Sequence, residues 1–259
     1  MAAKLRHVSS RANPLVKALR RLAHEPGAYR KLGRVWLEGD HLCRALLARR
    51  LVPEEAVVTE AGWTDAAMRR IAEQAPNVTV VDEASMRDIS GLESPAALGF
   101  VFTPTAHDAP LKGVPTVVLD GLQDAGNVGS VLRSAAALGV TQVIALKGTA
   151  ALWSPKVLRA GMGAHFGLRL IESASAALLD QLEVPLVATS SHAGQDLHEQ
   201  SLPQPCAWVL GHEGQGVHAA LLQRCDLTVR IPQPGGEESL NVAAAAAICL
   251  YESVRQRNQ

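Results

Sequence analysis

Three observations predict an α/β fold in two parts. From Thr116 onward, runs of four or five mostly apolar residues alternate with helical patterns, which argues for a parallel sheet buried on both faces. Thr103 to Pro115 (TPTAHDAPLKGVP) holds three prolines and little apolar content, so it reads as a linker. Charge is divided between the ends of the chain. Residues 1–50 hold twelve Lys and Arg against three Asp and Glu, and the remaining residues hold thirteen against twenty-two. The predicted organisation is a domain over 1–105, a linker over 106–114 and a second domain over 115–259.

The first domain opens on Asn13-Pro14, a cap followed by a first helical residue. The helix buries Leu15, Val16, Leu19 and Leu22 and turns Lys17, Arg20 and Arg21 outward, just after Arg11. Strands follow at 34–37, 56–59, 78–81 and 98–102, with helices at 41–50, 65–74 and 83–89 between them. This is a small α/β unit. A basic segment on an acidic body suits a polyanion, and Arg11, Lys17, Arg20 and Arg21 are the candidate phosphate contacts. The alternative is a solvated helix face.

In the second domain, strands are expected at 116–119, 143–146, 168–171, 186–189, 207–210 and 227–231. Helices are expected at 127–138, 154–162, 173–182 and 219–224, and in the Ala-rich stretch after Asn241. With 259 residues, 47% hydrophobic and 19% charged, the chain is globular. Its longest apolar run, Val242 to Tyr251, is ten residues, too short for a bilayer span. The N-terminus lacks the apolar core of a secretory leader. Cys43, Cys206, Cys225 and Cys249 are scattered, so neither a disulfide framework nor a metal site is indicated, and a cytoplasmic location is expected.

Ligands of parallel α/β sheets sit beyond the carboxyl ends of the strands. Three such ends carry Gly-and-polar loops: DGLQDAGNVGSVLR after Leu119, GHEGQGV after Leu210 and PQPGGEESLN after Ile231. In the third, Glu237, Glu238, Ser239 and Asn241 place negative and polar groups where a helix begins. No dinucleotide fingerprint, P-loop or nucleophile elbow is present, which disfavours dehydrogenases, P-loop NTPases and α/β-hydrolases.

The three loops resemble the three motifs of the SpoU/TrmH family of RNA ribose 2′-O-methyltransferases, in the SPOUT superfamily. Asn127 and Arg133 in NVGSVLR match the first motif and Gly211 to Gly216 the second. Ile231-Pro232 through Ser239-Leu240-Asn241-Val242 matches the third. The match covers roughly residues 113–259, and SSRANPLVKALRRLA through VWLEGDHL resembles the ribosomal-protein-like substrate-binding domain often fused ahead of it. The chain departs from the family at Gln233, where an apolar residue is usual, and at Glu237 and Ala243.

The resemblance implies a deep C-terminal trefoil knot, a rare feature that nothing in the composition reveals. It implies S-adenosylmethionine as methyl donor, held by Thr189 and by backbone groups at Gly211, Ile231 and Leu240. A homodimer is also implied, with Trp153, Met162 and Phe166 as a candidate patch. Its catalytic set here is Asn127, Arg133, Glu213, Ser239 and Asn241. Arg133, on a helix with apolar neighbours, is expected to need an anion: a substrate phosphate, or internally Glu213 or Asp124. Asn127 and Asn241 are expected to orient the ribose or each other, and Ser239 the hydroxyl or the cofactor carboxylate. Glu213 is expected to fix Arg133 or Asn127, or to cap the helix that follows it. The competing functional classes are a non-catalytic RNA-binding protein and an RNA base methyltransferase.

Overall fold

The computed structural model describes residues 3–190, 195–235 and 239–258, and they form two compact units. The first comprises residues 1–105 with 153–166, and the second 106–152 with 167–259.

The first unit is a mixed five-stranded sheet with helices. In chain order it contains β1 (Lys4–Val8), α1 (Pro14–His24), α2 (Ala28–Leu32), β2 (Val35–Glu38), α3 (Asp40–Ala48) and β3 (Glu55–Thr59). Then come α4 (Glu60–Thr64), α5 (Ala66–Ala72), β4 (Asn77–Val81), α6 (Glu83–Ile89) and β5 (Leu98–Phe102). The strand order is β1-β4-β3-β5-β2, parallel from β1 to β3 and antiparallel across β5. Sequence patterning does not reveal β1, because KLRHV has no apolar alternation and lies largely exposed at the sheet edge. Arg6 secures it there, donating to Thr79 Oγ1 and Glu55 Oε1, each at 2.6 Å. The helix expected over 65–74 is α5, which the Asp65 carboxylate caps through Ala67 N and Met68 N, and the short α4 before it is unexpected. On α1, Asn13 accepts from Leu15 N at 2.8 Å, and Val16, Leu19 and Leu22 are buried.

Residues 153–166 carry α8 (Pro155–Gly161) and join this first unit. Trp153 and Phe166 gather around Phe102, with ring centroids 6.5 and 6.0 Å from it. Two of the three side chains expected to form a dimer patch are therefore engaged within their own chain. Met162 remains exposed.

The second unit is a seven-stranded, wholly parallel sheet. Its elements are β6 (Thr116–Asp120), α7 (Ala125–Ala137), β7 (Gln142–Leu146), β8 (Arg169–Ala174), β9 (Leu186–Thr189) and β10 (Gln195–Asp196). They continue with β11 (Ala207–Gly211), α9 (Ala219–Leu222), β12 (Leu227–Arg230) and α10 (Val242–Arg257). The order is β10-β12-β9-β11-β6-β7-β8. The expected helix over 173–182 is absent. There β8 runs on to Ala174, Ser173 takes φ 55°, and a short 3-10 turn covers Ala176–Gln181. β6, β7 and β11 are buried along their whole length, as their apolar runs predict. α10 packs on α7 and β11, and Trp208 Nε1 on β11 donates to Ser253 Oγ at 2.9 Å. Among the described residues no helix is long and apolar enough to cross a membrane.

Candidate active site

From β6 the chain builds outward through β7 to β8, then returns to build β9, β11 and β12 on the other side. The strand order therefore reverses between β6 and β11, and ligands of open sheets bind at the carboxyl ends beside such a reversal. The loops after these two strands carry Asn127 and Glu213.

The loop after β11 is a tight hairpin. His212 and Gly216 exchange backbone hydrogen bonds of 3.0 and 2.8 Å, and Gly214 N donates to His212 Nδ1 at 3.0 Å. Gly211 sits under this closure. A Cβ there would lie 2.0 Å from the Gly216 carbonyl carbon, so only glycine lets the strand end pass.

The hairpin presents Glu213 to the loop after β6. Glu213 Oε1 accepts from Asp124 N and from Asn127 Nδ2, both at 3.2 Å, and Oε2 accepts from Gln123 N at 3.4 Å. Asp124 itself caps α7 through Asn127 N at 2.8 Å. On the far side, Asn241 Nδ2 donates to Asn127 Oδ1 at 3.0 Å. Asn241 Oδ1 caps α10 by accepting from Ala243 N and Ala244 N at 2.9 and 3.2 Å.

These bonds fix each amide's direction. Backbone N–H groups can only donate, so the cap claims the Asn241 oxygen and leaves its NH2 for Asn127. Asn127 must then face Asn241 with its oxygen and Glu213 with its NH2. A polarised relay runs from the α10 N-terminus to a carboxylate. Burial pushes the Glu213 carboxyl up, but bonds from its own backbone N–H, from Asn127 and from the Asp124 and Gln123 amides outweigh it. The carboxyl is held below its ordinary value, a poor setting for a general base at neutral pH.

Next to this relay lies an open cleft at the ends of β9, β11 and β12. Thr189, Gly211, Ile231 and Leu240 line it, with Glu213, Gln233 and Ser239. Leu240 is 40% exposed, and the buried Gln233 Oε1 has no hydrogen-bond partner among the described residues. Apolar walls with a few convergent polar groups make a small-molecule site. Glu237 and Glu238, expected at the helix opening, lie outside the described residues.

Arg133 corrects one expectation. It is exposed on α7 rather than lodged among apolar neighbours, and among the described residues it pairs with no carboxylate. Glu213 serves Asn127 instead, and the N-cap position of α9 is held by His218, whose side chain makes no capping bond. Arg133 starts about 9 Å along the axis from Asn127, but helix side chains lean toward the N-terminus, back toward the site.

The basic candidates belong to the first unit, where all four are exposed. Arg20 pairs with the half-buried Asp88 at 3.5 Å and Arg21 with the exposed Glu25 at 3.2 Å, the latter a surface pair of little energetic weight. Two residues that motif reading passes over also stand at this end of the second unit's sheet. His218 Nδ1 contacts Asp120 Oδ2 at 2.9 Å, and His218 N donates to the same oxygen at 2.8 Å. The sequence signal was the buried-strand aspartate ending VVLD, legible only once its partner is known.

Fold and cleft together define a parallel-sheet enzyme class that binds its ligand at a reversal of strand order. Residues 115–251 match the family model described as SpoU rRNA Methylase family, and the chain belongs to that family. It is 41% identical over 145 residues to a 23S rRNA (guanosine-2′-O-)-methyltransferase of Bordetella pertussis, covering 54% of this chain and 59% of the relative's length. The chain thus spans only part of that relative. A crystal structure of an RNA 2′-O ribose methyltransferase superposes with a TM-score of 0.81 at 33% identity, covering 98% of this chain and all (100%) of the other. An AdoMet-bound rRNA methyltransferase of Sinorhizobium meliloti superposes with a TM-score of 0.83 at 25% identity, covering 97% and 98%.

Proposed function

We propose that the protein transfers a methyl group from S-adenosylmethionine to a ribose 2′-hydroxyl of RNA, ribosomal RNA being favoured over transfer RNA by the relatives' names. The observation that carries this reading is the relay from Asn241 through Asn127 to Glu213 at the edge of the cleft. A site for base methylation has no need of paired amides beside a ribose, and a mere RNA-binding scaffold has no need of the cleft.

The cleft residues fit the cofactor. Ile231 and Leu240 can flank the adenine, the main chain at Gly211, Ile231 and Leu240 can meet its edge and the ribose, and Thr189, Gln233 and Ser239 can bond hydroxyl or carboxylate groups. When bound, the sulfonium supplies an electrophilic methyl. The protein's own task is to hold the 2′-oxygen in line with it, since alignment alone supplies much of the rate of such a displacement. Asn127 and Asn241, locked in direction, orient the ribose. Arg133 clamps the adjacent phosphate, and because a guanidinium holds its proton so firmly it serves proton transfer only secondarily. With the cofactor bound, its C–S bond would break as the C–O bond forms, and the 2′-proton would leave toward the phosphate, Arg133 or solvent.

The first unit is the RNA-binding appendage in this reading, with 106–114 as linker and Arg11, Lys17, Arg20 and Arg21 as phosphate contacts. The knotted backbone and a homodimer belong to the same proposal. Exposed Ile248 and Tyr251 on α10 are apolar surface that a second copy would cover. The protein acts in the cytoplasm, where its RNA is. The test is a map of alkali-resistant ribose methylation across total RNA with and without the protein. One lost mark is the expected result; an unchanged map overturns the reading.

A further inference from the structure

A second cleft, of about 390 Å³, opens at the ends of β6, β7 and β8, within the size range of small-molecule sites. Its floor is apolar, made by Leu146, Ala174 and Leu221, and its rim carries Lys147, Arg224 and His218. The His218 ring is 63% exposed yet fixed, because the Asp120 carboxylate beneath it is only 7% exposed and bonds both Nδ1 and the backbone N–H. Arg224 is held by the Ala176 carbonyl and Asp180, whereas exposed Lys147 has no ionic partner among the described residues.

The loop after β11 lines both clefts, and the loop after β6 lines the second and carries Asn127, which bonds Glu213 of the first. The loop after β6 begins at Asp120 in the second cleft and reaches Asn127 beside the first, and the loop after β11 runs from Gly211 and Glu213 to His218. The loops are tied together at both ends, by Glu213 to Asn127 and by His218 to Asp120. Asn127 and the His218 ring of this cleft are therefore carried by one tied pair of loops.

We infer that the second cleft receives an unstacked base of the RNA, at or next to the methylated nucleotide, with the His218 ring as its stacking face and Lys147 at its phosphate. Single-stranded RNA is read in this way, by bases splayed onto aromatic faces. The inference rests on the RNA-methyltransferase reading. It accounts for features that reading leaves unused: a buried carboxylate spent on aiming an exposed imidazole, and a lysine with no ionic partner among the described residues over an apolar floor.

The test compares full-length wild type with His218→Ala, His218→Phe, Lys147→Glu and Ala176→Trp, the last filling the cleft from an exposed position. The methyl acceptor is ribosomal RNA from cells lacking the protein. Loss of one stacked base is expected to raise KM for RNA about tenfold in His218→Ala and Ala176→Trp, and by less in His218→Phe, which keeps a stacking ring but loses the Asp120 bond that aims it. Affinity for S-adenosylmethionine, titrated separately, stays within about twofold, which also reports that each variant is folded. Wild-type turnover with unchanged KM in Ala176→Trp and Lys147→Glu would overturn the base site alone. A fall in kcat at constant KM in His218→Ala would overturn it by moving His218 into the chemistry. No transfer by the wild type would overturn both readings.

Discussion

The loops of the second unit and the basic face of the first hold their polar residues in opposite ways. Glu213, Asn127 and Asn241 are each fixed by two or more bonds, so the direction of every amide is determined. Arg11, Lys17, Arg20 and Arg21 stand in solvent, Arg20 and Arg21 in weak ion pairs. Chemistry requires a single geometry, whereas gripping a flexible polyanion requires charge spread over a surface. Substitutions should therefore act steeply in the first region and shallowly in the second.

The steepest effect is expected at Gly211→Ala, whose Cβ would collide with the Gly216–Val217 backbone. Calorimetric titration should show S-adenosylmethionine binding abolished; ordinary affinity would mean the hairpin does not shape the cleft. Asn127→Ala and Asn241→Asp come next. Asp at 241 keeps a cap oxygen for α10 but faces Asn127 with no donor, so no orientation of Asn127 satisfies both neighbours. Methyl transfer should fall about 10²-fold in each, the cost of a small misplacement. Helix content should hold in Asn241→Asp, whereas Asn241→Ala also loses a cap worth about 1 kcal/mol. Normal turnover in both Asn127→Ala and Asn241→Asp would dissolve the relay's role.

Arg133→Lys is intermediate. A phosphate clamp should lose its two-pronged bond, raising KM for RNA several-fold with cofactor affinity unchanged. Glu213 gives a milder, pH-resolved effect. Its folded pKa lies below the unfolded one, so its stabilisation is complete above the ordinary carboxylate range and is lost as pH falls through the folded value. Cofactor affinity should stay level from pH 8 to about 5 and decline below, at the foot of the carboxylate range. Glu213→Gln should flatten that decline. The shallowest response is expected from single Lys17, Arg20 or Arg21 to Ala changes. Each should weaken RNA binding uniformly and lower the salt slope by about one for every phosphate left without its cation.

The same contrast explains what could be read from the residues. Strands β6, β7, β9 and β11 were legible because burial on both faces demands apolar runs, and the three glycine loops because their spacing matches a family. The β1 strand was not, since a charged edge strand carries no burial signal. Ser173–Leu182 misled, because helical-looking Ala and Leu there serve a strand end and a 3-10 turn. Arg133 looked buried because its neighbours in sequence are apolar, but on a helix those neighbours point elsewhere. The Asn127–Asn241 pairing was conceivable from chemistry alone; its polarity required the α10 cap. His218 escaped notice because Asp120, 98 positions away, gives it meaning.

Residues 153–166 have a last consequence, for how this protein can be taken apart. Because they belong with residues 1–105, neither unit is a continuous stretch of chain. A protease nick or truncation at residue 105 would leave Trp153 and Phe166 behind without Phe102, a raw aromatic surface on the remaining fragment. The first unit is thus not a detachable prefix, and its loss by simple shortening of the gene would leave a sticky remnant in place of a free-standing second unit.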